Sequence, residues 1–211
     1  MPADHRLWRG PAGLASALAA LRSGAVIGFP TDTVFGLGAV ASDPLAVATL
    51  SRIKGRSASQ PLIAMAARQA DLESVAILDR RAVELSSRYW PGALTLIVRA
   101  RPGGPNLGGA GTVGVRVPDH PVALALLAGA GVLATSSANR HGEVPARSAA
   151  EALSSLAGLA GAIDDELDGP SGARSASSIL DLTRDPPVLI REGGLSAREL
   201  GVPLAREIRR D

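Results

Sequence analysis

The chain has no cysteine and only five aromatic side chains among its 211 residues. Without cysteine, disulfides, thiolate nucleophiles and cysteine-based zinc sites are excluded. The three histidines, His5, His120 and His141, are scattered with no metal-ligand spacing, so no metal held by the chain itself is expected. Apolar residues still make up 46% of the sequence. The core must therefore be built from Ala, Val, Leu and Ile, which favours closely packed helix-on-sheet layers. Long hydrophobic runs are missing too. The longest, "VALALLAGAGVLA", is about 13 residues and broken by glycine, short of the roughly 20 needed to span a bilayer. The opening "MPADHRLWRG" carries no apolar signal core. A cytoplasmic protein with no membrane association is the expectation.

Charge is nearly balanced, with 22 Lys and Arg against 20 Asp and Glu and a formal net charge of +2. The isoelectric point near 9.9 reflects the very high pKa of arginine more than a nucleic-acid-binding tail. Lysine is almost absent: Lys54 is the single one, and the other 21 of the 22 are arginine.

A chain of this length suits one domain with a real core. We expect that domain over 10–195, followed by a tail, 196–211, with a short capping helix and frayed residues. Short apolar runs alternate with amphipathic ones. Strands are expected at 25–30, 61–66, 94–100, 112–118, 131–136, 161–165, 177–182 and 187–192, and helices over 13–24, 43–53, 81–89, 121–129 and 148–157. Asp43 is the N-cap candidate for the second helix, with Pro44 in its first turn. The Gly/Pro-rich segment 101–111 reads as a hairpin-like loop. The alternation argues an α/β fold with a mixed sheet.

In such sheets ligands gather where strands end and loops diverge, and several polar segments lie there. "PTDTVFGLG" (30–38) reads as a turn, with Gly36 and Gly38 relieving backbone strain, or as a hydroxyl-lined loop against a ligand. "TSSAN" (135–139) offers short hydroxyls and the amide of Asn139, one of two asparagines in the chain. Arg116 in "GVRVP" alternates with Val115 and Val117. It lies on a solvated face or, in a crevice, offers a planar fork to a carboxylate or phosphate. Arg191 in "LIREGG" repeats the choice. Lys54 in "SRIKGRSASQPL" has an ordinary reading as the last residue of a helix, with Gly55 as C-cap. A helix C-terminus is indifferent to Lys or Arg, however, and this chain otherwise uses arginine. A compact ammonium matters where a point charge sits among several oxygens.

Taken in order, "FPTDTVFGLGA", "SRIKGRSASQPL", "RYWPGALTLIV", "TVGVRVPDH", "TSSANRHGE", "SASSILDLT" and "VLIREG" resemble the successive motifs of the YrdC-like (TsaC/Sua-type) L-threonylcarbamoyladenylate synthases, in the single-domain form. The resemblance implies a twisted mixed β-sheet flanked by helices around a positively lined cavity. It also implies formation of threonylcarbamoyl-AMP and pyrophosphate from L-threonine, bicarbonate and ATP with Mg²⁺. The product then goes to a TsaD-type transferase for the t6A modification of tRNA. By the same resemblance, Lys54 and Arg56 form a catalytic K-x-R pair near the phosphates and the carbamate. Thr31, Thr33, Arg116 and Ser137 bind threonine, and Asn139, Ser177 and Arg191 join Lys54 and Arg56 around ATP, with Asp32 in support. Three positions depart from the family pattern: Phe35 for Tyr, His141 for Ser and Ser178 for Thr. The alternatives are a YciO-like paralogue without synthase activity, or a protein of ribosome maturation that holds tRNA or double-stranded RNA in the basic concavity. No aromatic-rich strand is present to stack unpaired bases.

Overall fold

A computed structural model describes residues 6–55, 60–140, 142–164, 175–201 and 205–206. The elements run β1 (Leu7–Trp8), α1 (Gly10–Arg22), β2 (Ile27–Phe29), β3 (Gly36–Val40), α2 (Pro44–Lys54), β4 (Ile63–Met65), β5 (Ala76–Ile77), α3 (Arg80–Tyr89), β6 (Leu94–Ala100), β7 (Thr112–Arg116), α4 (Pro121–Ala130), β8 (Leu133–Ser137), α5 (Ala149–Ser155), β9 (Gly161–Ile163), β10 (Ser178–Asp181), β11 (Val188–Arg191), α6 (Ala197–Leu200) and β12 (Ala205–Arg206). The strands form one sheet in the order β1-β9-β2-β3-β8-β4-β7-β6-β10-β11-β12, with β5 beside β6. It is mixed: β4 and β7 are parallel, as are β6 and β10, while β6 and β7 are antiparallel across the 101–111 loop.

Local chemistry sets the helix ends. The Asp43 carboxylate accepts from the amides of Leu45 and Ala46 at 2.9 and 3.1 Å, and Pro44 follows it in the first turn. Gly55 then closes α2 in the left-handed region at φ 64°, which an L side chain resists. Asp79 and Ser148 cap α3 and α5 in the same way as Asp43. Among the described residues no helix is long and apolar enough to cross a membrane.

Period-two alternation divides the sheet into two faces. On one face Ala64, Leu96, Val98, Val113, Val115 and Ala134 join the apolar faces of α2, α3 and α5. On the other, Ile27, Phe29, Met65, Leu133 and Ile163 pack against Ala17 and Leu21 of α1 and Leu126 and Leu127 of α4. Each fully buried Leu, Ile or Val contributes about 1.5–3 kcal/mol, enough to hold the strands on both sides. The second cluster contains no residue from β6, β7 or β10. Helices α1 and α4 thus leave part of that face bare, and the bare part forms the floor of a cavity.

Two local expectations change. The turn at 30–38 is shorter than its glycines suggest, because Gly36 and Gly38 lie inside β3, paired with β2 and β8, and neither has positive φ. They are small because the Phe29 ring lies across them: a Cβ on Gly38 would sit 3.0 Å from its Cε1 and 3.1 Å from Leu133 Cδ1. The 3-10 helix Gln69–Ser74 and the two-residue strands β1, β5 and β12 also went unread, being too short to show a period. Beyond β11 a capping box of Ser196 and Glu199 starts α6 and buries Leu200; residues 202–204 and 207–211 lie outside the described residues. Gly38→Val should overpack this contact and lower stability by about 1–3 kcal/mol, read as a lower urea midpoint at unchanged m-value.

Candidate active site

The bare floor and the loops above it enclose a cavity of about 370 Å³. Its floor follows the alternation strand by strand: Thr95 and Ile97 from β6, Thr112, Gly114 and Arg116 from β7, Thr135 and Ser137 from β8, Ser177 and Ile179 at β10. The intervening residues Leu96, Val113, Val115 and Ala134 point to the apolar cluster behind. One face of each strand therefore carries hydroxyls and the other holds the strand in place.

Arg116 is at the end of β7 with 2% of its side chain exposed, so it belongs to the crevice and not to a solvated face. Its Nη2 donates to Asp32 Oδ1 at 2.7 Å, its Nη1 to Thr33 Oγ1 at 2.8 Å and its Nε to the Gly92 carbonyl at 2.9 Å. Thr31 Oγ1 donates to the Val34 carbonyl at 2.7 Å and lies 3.2 Å from Thr33 Oγ1. Since the Thr31 proton is committed to Val34, Thr33 donates to Thr31. The order runs from guanidinium to Thr33 to Thr31 to backbone, and the 31–34 turn is built around the arginine.

Burial pushes the Arg116 guanidinium below its usual pKa; Asp32 opposes that shift and the nearby positive charge of Arg191 adds to it. Arg191 sits at the end of β11, where its Nε donates to the Ser177 carbonyl at 2.9 Å and its Nη2 contacts Ser177 Oγ at 3.2 Å. Ser177 Oγ in turn meets Thr95 Oγ1 at 2.9 Å. Among the described residues the lining thus holds two guanidinium groups and many hydroxyls, with no carboxylate or imidazole. Such walls suit an anion.

Of the residues singled out from sequence, Thr31, Thr33, Arg116, Ser137, Ser177 and Arg191 line this one cavity. Lys54 and Asn139 do not. Lys54 is 3% exposed, and its Nζ donates to the Ser137 carbonyl at 2.7 Å, Asn139 Oδ1 at 2.9 Å and the Asn139 carbonyl. These three partners are neutral loop oxygens. Arg56 and His141 lie outside the described residues. Phe35 is buried in the core with no need of a hydroxyl. Ser178 turns its hydroxyl to the chain, accepting from the amides of Gly193 and Leu195 at 2.9 Å each and donating to the Leu195 carbonyl. Sequence reasoning missed Thr95, Thr112 and Thr135. "LTLIV" and "TVGVR" carry one hydroxyl each and "LATSS" three in a row, so no local pattern sets them apart.

The family model described as Telomere recombination, for Sua5, YciO and YrdC sequences, matches residues 19–193. A Bacillus subtilis protein named threonylcarbamoyl-AMP synthase is 39% identical over 193 residues, covering 89% of this chain and 55% of its own length. A Mycobacterium leprae relative is 41% identical over 191 residues, covering 89% of this chain and 86% of its own. The crystal structure of Pyrococcus abyssi Sua5 complexed with L-threonine superposes with a TM-score of 0.83 at 36% identity, over 92% of this chain and 58% of that one. The chain spans about half the length of the Bacillus and Pyrococcus proteins.

Replacing Asp32 by Ala would leave the Arg116 charge buried beside Arg191 without its counterion, at a cost of about 3–5 kcal/mol. Double replacement, Asp32→Ala with Arg116→Met, should recover most of that loss in chemical denaturation.

Proposed function

The chain belongs to the Sua5, YciO and YrdC family, and on that premise we propose that it is an L-threonylcarbamoyladenylate synthase. Bicarbonate and the threonine amine condense to a carbamate with loss of water. A carbamate oxygen then forms a bond to the α-phosphorus of ATP, the bond to the β-phosphate oxygen breaks, and pyrophosphate leaves. The nucleophile comes from the substrates, in keeping with walls that offer cations and hydroxyls.

The observation that carries this reading is Arg116, held from three sides inside a cavity with no carboxylate among its described lining residues. A guanidinium fixed in this way is set to receive the threonine carboxylate with little loss of side-chain entropy. Thr31, Thr33 and Ser137 surround it as hydroxyl partners. Arg191, supported by Ser177, takes the phosphate side, where cations offset the charge gathered by the incoming carbamate. Arg56 is assigned to the ATP side with Arg191, while Lys54 and Asn139, which do not line the cavity, support that side from behind its wall.

Magnesium enters as part of the nucleotide. Among the described residues the donor set does not fit an ion held by the protein: none of the lining residues is a carboxylate, and no group of three His, Cys, Asp or Glu comes together. The product passes to a TsaD-type transferase for t6A formation on tRNA, which places the protein in the cytoplasm.

Purified protein given ATP, magnesium, L-threonine and bicarbonate should release pyrophosphate only when threonine and bicarbonate are both present. Release that is absent, or equal without threonine, rejects the assignment and leaves a YciO-like or RNA-holding protein. Arg116→Lys keeps a charge but loses the fork, and should lower kcat/KM for threonine by about 100-fold.

A further inference from the structure

We propose that Lys54 is a positioning residue, a buried clamp that joins the end of α2 to the loop following β8 and so fixes one wall of the cavity. The inference rests on the synthase reading only for its effect on turnover.

Three oxygens from two residues, the Ser137 carbonyl, the Asn139 carbonyl and Asn139 Oδ1, converge on the single Nζ atom, with Ser137 Oγ at 3.4 Å behind them. An ammonium has three N–H bonds directed tetrahedrally from one nitrogen, which suits oxygens gathered around a point. A guanidinium spreads five N–H bonds in a plane across three nitrogens and is bulkier. Lys54 is 3% exposed, so a planar fork there would have to find its several acceptors among fixed, buried oxygens placed for one nitrogen. This accounts for the one place where an otherwise arginine-only chain uses lysine.

The clamp reaches further through Asn139. While its Oδ1 accepts from Lys54 and from Ser137 Oγ, its Nδ2 donates to the carbonyls of Arg140 and Glu143 at 2.8 and 2.7 Å. The Ala146 amide returns to the Ala138 carbonyl at 2.8 Å, and the Ala138 amide to that of Phe35, also at 2.8 Å. The segment 137–146 is closed on itself, with Lys54 and Asn139 at its hub, and it presents Ser137 and Pro145 to the cavity. The three oxygen dipoles offset part of the cost of desolvating the ammonium.

Hydrogen–deuterium exchange on the full chain without ligands separates positioning from substrate contact. In Lys54→Arg and Lys54→Met, amides of 138–146 should exchange about tenfold faster or more, while those of β6 and β2 keep their protection. Unchanged exchange at 138–146 in both variants overturns the proposal, even if turnover falls, because the lysine then acts only on substrate. Asn139→Ala, which keeps the lysine, provides a second route if the lysine variants do not fold. It should loosen the same segment, and retained protection there overturns the clamp. The double variant Lys54→Met with Asn139→Ala should be no looser at 138–146 than either single; additive loosening overturns the shared hub. Since no substrate is present, failure of the pyrophosphate assay in the parent protein would reject the synthase reading and leave the exchange result standing.

Discussion

A guanidinium inside a protein must be given a counterion and hydrogen-bond acceptors, or its desolvation costs several kcal/mol. Arg116 meets that demand with Asp32, Thr33 and Gly92, and much of the local architecture follows. The 31–34 turn after β2 reaches the end of β7 although β3, β8 and β4 lie between them in the sheet, so the contact ties strands that are not neighbours. Acceptors on the Thr31–Thr33 side orient the arginine, and the apolar strand faces behind it keep β6 and β7 from shifting.

The same device recurs at lower stakes. Arg191 is supported by Ser177, which leans on Thr95, and Lys54 is enclosed by the S-x-N segment. In each case a cation from one element is seated by oxygens from another, more than eighty residues away for Arg116 and Lys54 and across one hairpin for Arg191. Charge inside this molecule is thus a means of registering segments against one another, and among the described residues Arg116 and Arg191 also face the cavity.

The sequence displayed the sheet well where strands were long and their two faces differed, as in β6 and β7, and displayed helix starts wherever Asp43, Asp79 or Ser148 supplied a capping oxygen. It hid β3, because glycine in "GLGAV" looks like a turn until the ring of Phe29 is seen lying against it. It marked six cavity residues through their place in motifs, but not Thr95, Thr112 or Thr135, whose role depends on which half of a sheet face α1 and α4 leave uncovered. That is a tertiary fact with no local trace. Lys54 was conspicuous by composition, yet the nature of the oxygens around it could be learned only from the fold.

Strand order has a further consequence, in time. Strand β1 pairs with β9 through Leu7 and Ala162, and β10, beside β6, receives β11 through Ile179 and Arg191. The cavity therefore draws its walls from nearly the whole length of the chain, from Thr31 to Arg191. Contacts of such long sequence separation form slowly. During synthesis the early β2–β3 hairpin and α1 can collapse, but Arg116 waits beside Asp32 for a second cation that is among the last residues of the sheet to be made. The full set of cavity walls therefore exists only after the segment carrying Arg191 has been made.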